Sequence, residues 1–106
     1  MEPCGDVYRL RAPRGARGHE QQGSRYAVIV QSDALDRLST WMVAPTSTSA
    51  RPATFRPGVE IAGLPTLVLV EQTSAVHPSR LGERAGHLGF DELRAVDAAL
   101  RLVLDL

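Results

Sequence analysis

The stretch of sequence that decides the fold is GHEQQGSRYAVIV, residues 18–30. Its second half belongs to a near-continuous apolar run over 25–31, the pattern of a strand that is covered on both faces. Its first half is a polar loop, bracketed by glycines, with a histidine, a carboxylate and two amides. Polar groups gathered at the end of a rigid strand often serve binding or catalysis. The stretch therefore predicts a buried strand that begins at a functional loop.

Short strands are predicted before and after this one. They span residues 7–10, 40–44, 55–61 and 66–72. Pro57 and Gly58 interrupt the third of these strands, which is typical of a strand at the edge of a sheet. Two polar loops, 11–24 and 46–53, separate the strands, and loops of such length in a small domain are more often functional than not.

The chain ends in a predicted amphipathic helix. Apolar residues recur along one helical face, at Leu93, Val96, Leu100, Val103 and Leu104. Asp91 and Glu92 lie in the first turn, where carboxylates favour the positive end of the helix dipole. Five or six strands followed by one helix predict a single α+β, mainly β, domain over residues 1–106: a small, strongly bent antiparallel sheet or barrel covered by the helix.

Composition restricts the function classes. The twelve basic residues are all arginine and the formal net charge is zero, which argues against a general nucleic-acid coat protein. Guanidinium groups suit bidentate phosphate contacts, although a genome that favours arginine codons is the simpler explanation for the absence of lysine. Cys4 is the single cysteine, so neither an intrachain disulfide nor a thiolate zinc cluster can form. No apolar run approaches the roughly 18 residues of a membrane span, and the sequence predicts a cytoplasmic protein without membrane segments.

Three blocks of sequence resemble the MazF/PemK/Kid family of toxin endoribonucleases, which belong to type II toxin–antitoxin systems. The first block is GDVY at 5–8, and the second is GHEQQG at 18–23 followed by Arg25. The third is VAPTS at 43–47, continued by VLVEQ at 68–72 and by the terminal helix. The order and spacing of these blocks hold across almost the whole chain. The resemblance implies an SH3-like barrel of the CcdB/MazF type with a C-terminal helix.

The resemblance also implies an activity and partners. Family members cut single-stranded RNA at specific sequences, without a metal or another cofactor, by transesterification from the 2′-hydroxyl. They assemble as homodimers that bind RNA in a groove at the dimer interface. A cognate antitoxin similar to MazE is expected to place a disordered, acidic segment in that groove, where its carboxylates mimic phosphates.

Three catalytic residues are carried over from the resemblance. Arg25 would stabilise the negative charge of the pentacoordinate phosphorus and donate a proton to the leaving 5′-oxygen. Thr46 would hold a phosphate oxygen or align the 2′-hydroxyl, although Thr, Ser and Pro here also suit a simple turn. His19 is a natural general base, but a loop histidine is often only solvated. Whether His19 or Arg25 is the general base stays open.

Further polar residues are predicted to contact RNA: Glu20, Gln21, Ser47, Thr48 and Gln72. Glu71 stands where the Kid branch has an aspartate, but the arginine that the branch carries two residues earlier is Leu69 here. This departure favours a mechanism based on Arg25 and Thr46 over the histidine–arginine–aspartate scheme of the Kid branch. His77 and His87 have no metal-ligand spacing with His19 or Cys4, and no metal site is expected.

Two other functions stay open on the sequence. A toxin similar to CcdB would bind DNA gyrase and lack nuclease activity, but its terminal helix carries a tryptophan–glycine–phenylalanine-type ending that is absent here. A catalytically inactive module that only binds antitoxin is the second alternative, because the proline that usually follows the family's arginine is Tyr26 in this chain.

Overall fold

The computed structural model describes residues 4–11, 25–32 and 39–106. Its seven strands are β1 (Asp6–Leu10), β2 (Tyr26–Ile29), β3 (Trp41–Ser47), β4 (Gly58–Ile61), β5 (Leu64–Val68), β6 (Ser74–Val76) and β7 (Leu81–His87). Two 3₁₀ turns, Val70–Gln72 and Pro78–Arg80, flank β6, and one helix, α1 (Phe90–Leu104), ends the chain.

The strands form one curled antiparallel sheet. Their order is β4–β5–β3–β2–β1–β7, and β6 pairs with the first part of β3. β4 lies at one end of this order, so the prediction of an edge strand around Pro57 and Gly58 is confirmed. The sheet and the helix that follows it confirm the predicted mainly-β architecture, with the barrel only half closed.

β2 lies at the centre because its side chains are apolar on both faces. Val28 packs on one face in a cluster with Ala44, Val68 and other residues, and α1 adds Val96 and Ala99 to that cluster. Ala27 and Ile29 pack on the opposite face with Val43, under the rings of Tyr8 and Trp41. The predicted strand with two covered faces is therefore confirmed, and both clusters bury β-branched side chains that suit a pleated surface.

β3 is longer than the sequence predicted. The predicted strand 40–44 ended before Pro45, but β3 continues through Pro45 and Thr46 to Ser47. Pro45 has no N–H to donate, but at its position no neighbouring strand needs one. The N–H and C=O of Pro45 point away from β2, towards the edge of β3 that pairs first with β6 and then with β5. The missing N–H falls at that change of partner, and the Pro45 carbonyl accepts a hydrogen bond from Leu69 N at 2.8 Å.

Several other boundaries were wrong. The predicted strand 66–72 ends at Val68, because the chain turns into the 3₁₀ segment Val70–Gln72 before it pairs again as β6. The predicted strand 55–61 begins only at Gly58. Neither β6 nor β7 was predicted, since their sequences, SAV and LGERAGH, lack clear apolar alternation.

α1 covers one face of the sheet. Its carboxylate Glu92 ties the start of the helix in place: one oxygen accepts from Gly89 N and the other from Glu60 N of β4, each at 2.8 Å. Val96 is buried as predicted, but Val103 and Leu104 in the last helical turn are exposed. Among the described residues, no helix is long and apolar enough to cross a bilayer.

Candidate active site

The backbones of Arg25, Thr46 and Ser47 are neighbours at one corner of the sheet, where β2 begins and β3 ends. The register Ala27↔Pro45 between β2 and β3 places Tyr26 opposite Thr46, so Arg25 lies beside the end of β3. The Arg25 carbonyl accepts a hydrogen bond from Leu10 N at 2.9 Å, which fixes its backbone to β1 as well. A central position between two strands holds these residues in a rigid arrangement.

The Arg25 side chain is exposed at this corner. In the described part of the chain, the four ion pairs involve other residues, and no carboxylate neutralises the Arg25 guanidinium. Within the described ranges, therefore, none of its five N–H donors is committed to a carboxylate. A planar, permanently charged group of this kind matches the geometry of a phosphate.

Thr46 is buried and its hydroxyl is engaged. The residue is only 3% exposed, and its Oγ1 donates a hydrogen bond to the carbonyl of Tyr26 at 3.1 Å. This bond joins β3 to the residue that follows Arg25. The structure thus gives Thr46 a direct part in holding the corner together, and its predicted contact with RNA stays a prediction.

Ser47 offers a hydroxyl that is oriented by the backbone. Its Oγ accepts hydrogen bonds from Ser49 N at 3.1 Å and from Ala50 N at 3.0 Å. Because both bonds use oxygen lone pairs, the hydroxyl hydrogen is still available as a donor. Thr48 follows as an exposed residue at the start of the loop. Ser47 is therefore better placed than Thr46 to donate to a phosphate oxygen.

Gln72 is exposed at the end of the 3₁₀ turn Val70–Gln72. The turn is joined to β3 through the hydrogen bond from Leu69 N to the Pro45 carbonyl. Leu69 itself is buried in the interior, 5% exposed, so the residue that replaces the arginine of the Kid branch has a packing role.

A guanidinium nevertheless reaches Glu71, and it comes from Arg56. Arg56 donates from Nε (3.0 Å) and Nη2 (2.6 Å) to one carboxylate oxygen, Oε2 of Glu71. These hydrogen bonds lower the pKa of Glu71, against a partial desolvation that would raise it, and weaker contacts from its own N–H and from Gln72 lower the pKa further. A folded-state pKa below the ordinary value means that the pair stabilises the fold near neutral pH and that this contribution is lost as pH falls through the lowered pKa. Sequence reasoning missed Arg56, since nothing in its neighbourhood indicates a partner 15 residues away.

Other predicted residues have different outcomes. His19, Glu20 and Gln21 lie outside the described residues, so their roles stay predictions. His77 accepts a hydrogen bond from Ser79 N and so begins the 3₁₀ turn Pro78–Arg80. Both ring nitrogens of His87 lie against backbone carbonyls, those of Leu88 and Cys4. The two histidines therefore contribute to local structure.

Comparison with known proteins identifies the class to which this curled sheet and its terminal helix belong. A family profile described as PemK-like, MazF-like toxin of type II toxin–antitoxin systems matches residues 4–104. A curated Mycobacterium tuberculosis protein, named as a candidate toxin, is 39% identical over 103 residues, which cover 96% of each chain. The chain therefore belongs to the PemK/MazF-like toxin family.

Solved structures share the fold. A mycobacterial endoribonuclease in complex with its cognate antitoxin superposes with a TM-score of 0.80 at 18% identity, over 100% of this chain and 97% of that one. The Mycobacterium tuberculosis toxin MazF-mt6 gives 0.76 at 19% identity, over 95% and 97% of the two chains. MazF from Deinococcus radiodurans gives 0.74 at 22% identity, over 100% and 97%. The MazF-type fold implied by the sequence is confirmed.

Proposed function

We propose that this toxin is a sequence-specific, metal-independent endoribonuclease that cuts single-stranded RNA and thereby inhibits translation and growth in the cytoplasm. The observation that carries the proposal is the exposed Arg25, which has no carboxylate partner among the described residues and lies at the corner formed with Thr46 and Ser47. Membership of the family supports it, as does the naming of fold relatives as endoribonucleases.

The reaction uses the nucleophile that RNA itself provides. The 2′-hydroxyl oxygen attacks the adjacent phosphorus, the bond from phosphorus to the 5′-oxygen breaks, and the proton lost by the 2′-hydroxyl is balanced by one gained at the 5′-oxygen. The products are a 2′,3′-cyclic phosphate and a 5′-hydroxyl, and no water is consumed. Arg25 stabilises the charge on the phosphorane oxygens and donates a proton to the leaving oxygen. His19 is the candidate for the base that accepts the 2′-hydroxyl proton.

The remaining predicted residues contact the strand around the scissile phosphate. Ser47 donates its free hydroxyl hydrogen to a phosphate oxygen, and the exposed Thr48 contacts the neighbouring nucleotide. Glu20, Gln21 and Gln72 present acceptors and amides that suit hydrogen bonding to unstacked bases.

An antitoxin is the proposed protein partner. The solved relatives include an endoribonuclease bound to its cognate antitoxin and a MazE–MazF complex. An acidic, disordered antitoxin segment would place carboxylates beside Arg25 and so compete with RNA. Such competition inhibits the toxin without any change in its fold.

We expect a homodimer at micromolar concentration. Five large apolar side chains are exposed on or beside α1: Phe90, Leu102, Val103, Leu104 and Leu106. Self-association would remove this surface from water, as it would protect the edge strand β4. Sedimentation should give a species of twice the 11.5 kDa chain mass. A single species at 11.5 kDa would contradict the dimer.

Cleavage of mixed single-stranded RNA by the purified protein is expected to proceed at the same rate in excess EDTA as in its absence. The reason is that a fixed guanidinium can stabilise the phosphorane charge that a metal would otherwise stabilise. Gel analysis should show discrete fragments rather than a smear. Cleavage that vanishes in EDTA and returns with magnesium would overturn the metal-independent mechanism. An absence of cleavage in every buffer would leave a gyrase-binding toxin similar to CcdB, or an inactive antitoxin-binding module.

A further inference from the structure

The loop between β3 and β4 is fastened at both ends. Residues 48–55, called here the 48–55 loop, follow Ser47, whose Oγ accepts the N–H groups of Ser49 and Ala50. At the other end Arg56 N donates to the Ala53 carbonyl at 3.0 Å, which closes a turn. The backbone of the loop is therefore set by contacts just outside it.

Arg56 makes the largest number of these contacts. Its Nη1 donates to the carbonyl of Arg51 at 3.0 Å, inside the loop, while its Nε and Nη2 donate to Glu71. The guanidinium also lies over the Phe55 ring, 5.6 Å from the ring centroid. One side chain thus connects the middle and the end of the loop to the 3₁₀ turn Val70–Gln72.

Glu71 depends on this contact. Its side chain is 25% exposed. Its Oε1 is shielded from solvent and accepts no hydrogen bond of good geometry from the described residues. Both strong donors arrive at Oε2 from Arg56. Removal of the guanidinium would leave a partly desolvated carboxylate without its main counter-charge, which is unfavourable. Arg56 and Glu71 are therefore expected to act as a unit.

We infer that the Arg56–Glu71 ion pair is a positioning device that holds the 48–55 loop in the shape that binds RNA beside Arg25. This inference rests on the proposed endoribonuclease function. The pair acts through the loop, by keeping Ser47 and Thr48 in place. The guanidinium of Arg56 donates its hydrogen bonds to Glu71 and Arg51 and does not contact phosphate.

Arg56→Ala is expected to raise KM for a short RNA substrate about tenfold and to change kcat less. A tenfold change corresponds to the free energy of about one charge-assisted hydrogen bond. Glu71→Gln is the decisive second variant. A positioning role predicts that it also raises KM, and that the double variant is little worse than either single one. A direct phosphate contact by Arg56 predicts the opposite, because loss of the carboxylate would free the guanidinium and lower KM. A lowered KM would overturn the inference.

Arg101→Ala is the matched control. Arg101 pairs with Asp97 at 3.2 Å on the exposed face of α1, so its loss removes an arginine and an ion pair that share no contact with Arg56 or Glu71. Cleavage by this variant should match the wild type.

Amide hydrogen exchange provides a readout that needs no activity. The amides of Ser49 and Ala50 should exchange several-fold faster in Arg56→Ala and in Glu71→Gln, at unchanged rates in Arg101→Ala, since the loop opens locally. Unchanged exchange together with unchanged KM would overturn the positioning role. Faster exchange in a protein that never cuts RNA would instead retain the loop device and reject the endoribonuclease function.

Discussion

Arg25→Ala is expected to reduce the rate of RNA cleavage by about 10²–10³-fold or more, since removal of one preorganised donor to a developing oxyanion has that effect and this donor is charged. The exposed side chain has no carboxylate partner among the described residues, so its removal breaks no ion pair there. Its backbone hydrogen bond from Leu10 N remains in the variant. The loss should therefore fall on kcat, with thermal unfolding and dimer mass unchanged.

Two further variants sharpen this result. Arg25→Lys keeps the charge but loses the planar, two-pronged donor geometry, and an intermediate rate is expected. Arg101→Ala removes an arginine from the helix surface and should cut RNA like the wild type. If Arg25→Ala cleaves RNA at the wild-type rate, Arg25 has no place in the mechanism.

Thr46→Val is expected to have the second-largest effect, with cleavage reduced about tenfold and the free energy of unfolding lowered by about 0.5–1.5 kcal/mol. Valine keeps the branched shape in β3 but deletes the hydroxyl that donates to the Tyr26 carbonyl. That carbonyl loses its side-chain donor and keeps its place in the β2–β3 ladder, so the end of β2 next to Arg25 is less firmly held. Denaturant titration and cleavage kinetics on the same preparation would measure both losses.

Thr46→Ser separates the hydroxyl from the rest of the side chain. Serine restores the donor at the same position and should recover most of the activity and the stability. Equal loss in Thr46→Ser and Thr46→Val would mean that the Thr46 methyl group matters rather than its hydrogen bond. A loss in Thr46→Val that exceeds the loss in Arg25→Ala would show that the hydroxyl acts in the chemistry itself.

The elements that were predictable carry strong local patterns. The apolar run after Arg25 could hardly avoid burial on both faces, and the 3.6-residue period identified α1. The interruption by Pro57 and Gly58 correctly indicated an edge strand. β7 could not be recognised in this way, because its pairing with β1 depends on residues more than 70 positions apart and its own sequence is polar and glycine-rich.

The residues of the candidate site also divide into those that local motifs predict and those that only the fold brings together. Arg25 and Ser47 lie at strand ends, within two of the sequence blocks that resemble the family, and so both were predictable from the sequence. The register of β2 and β3 places them next to each other. Thr46 was expected in a loop, yet it ends up buried within β3, because the change of partner at Pro45 lets the strand continue. The Arg56–Glu71 pair is formed by the fold alone, and no periodicity or motif in either segment predicts it.

Analysis of the product ends tests the central claim most directly. The substrate is a short, intact single-stranded RNA with one cleavage site. Incubation with the wild-type protein in EDTA should yield one fragment with a 5′-hydroxyl and one with a 2′,3′-cyclic phosphate. The same RNA should stay intact with Arg25→Ala over the same time. Fragments that carry a 5′-phosphate would contradict the account, because the attacking oxygen would then have come from water and not from the 2′-hydroxyl.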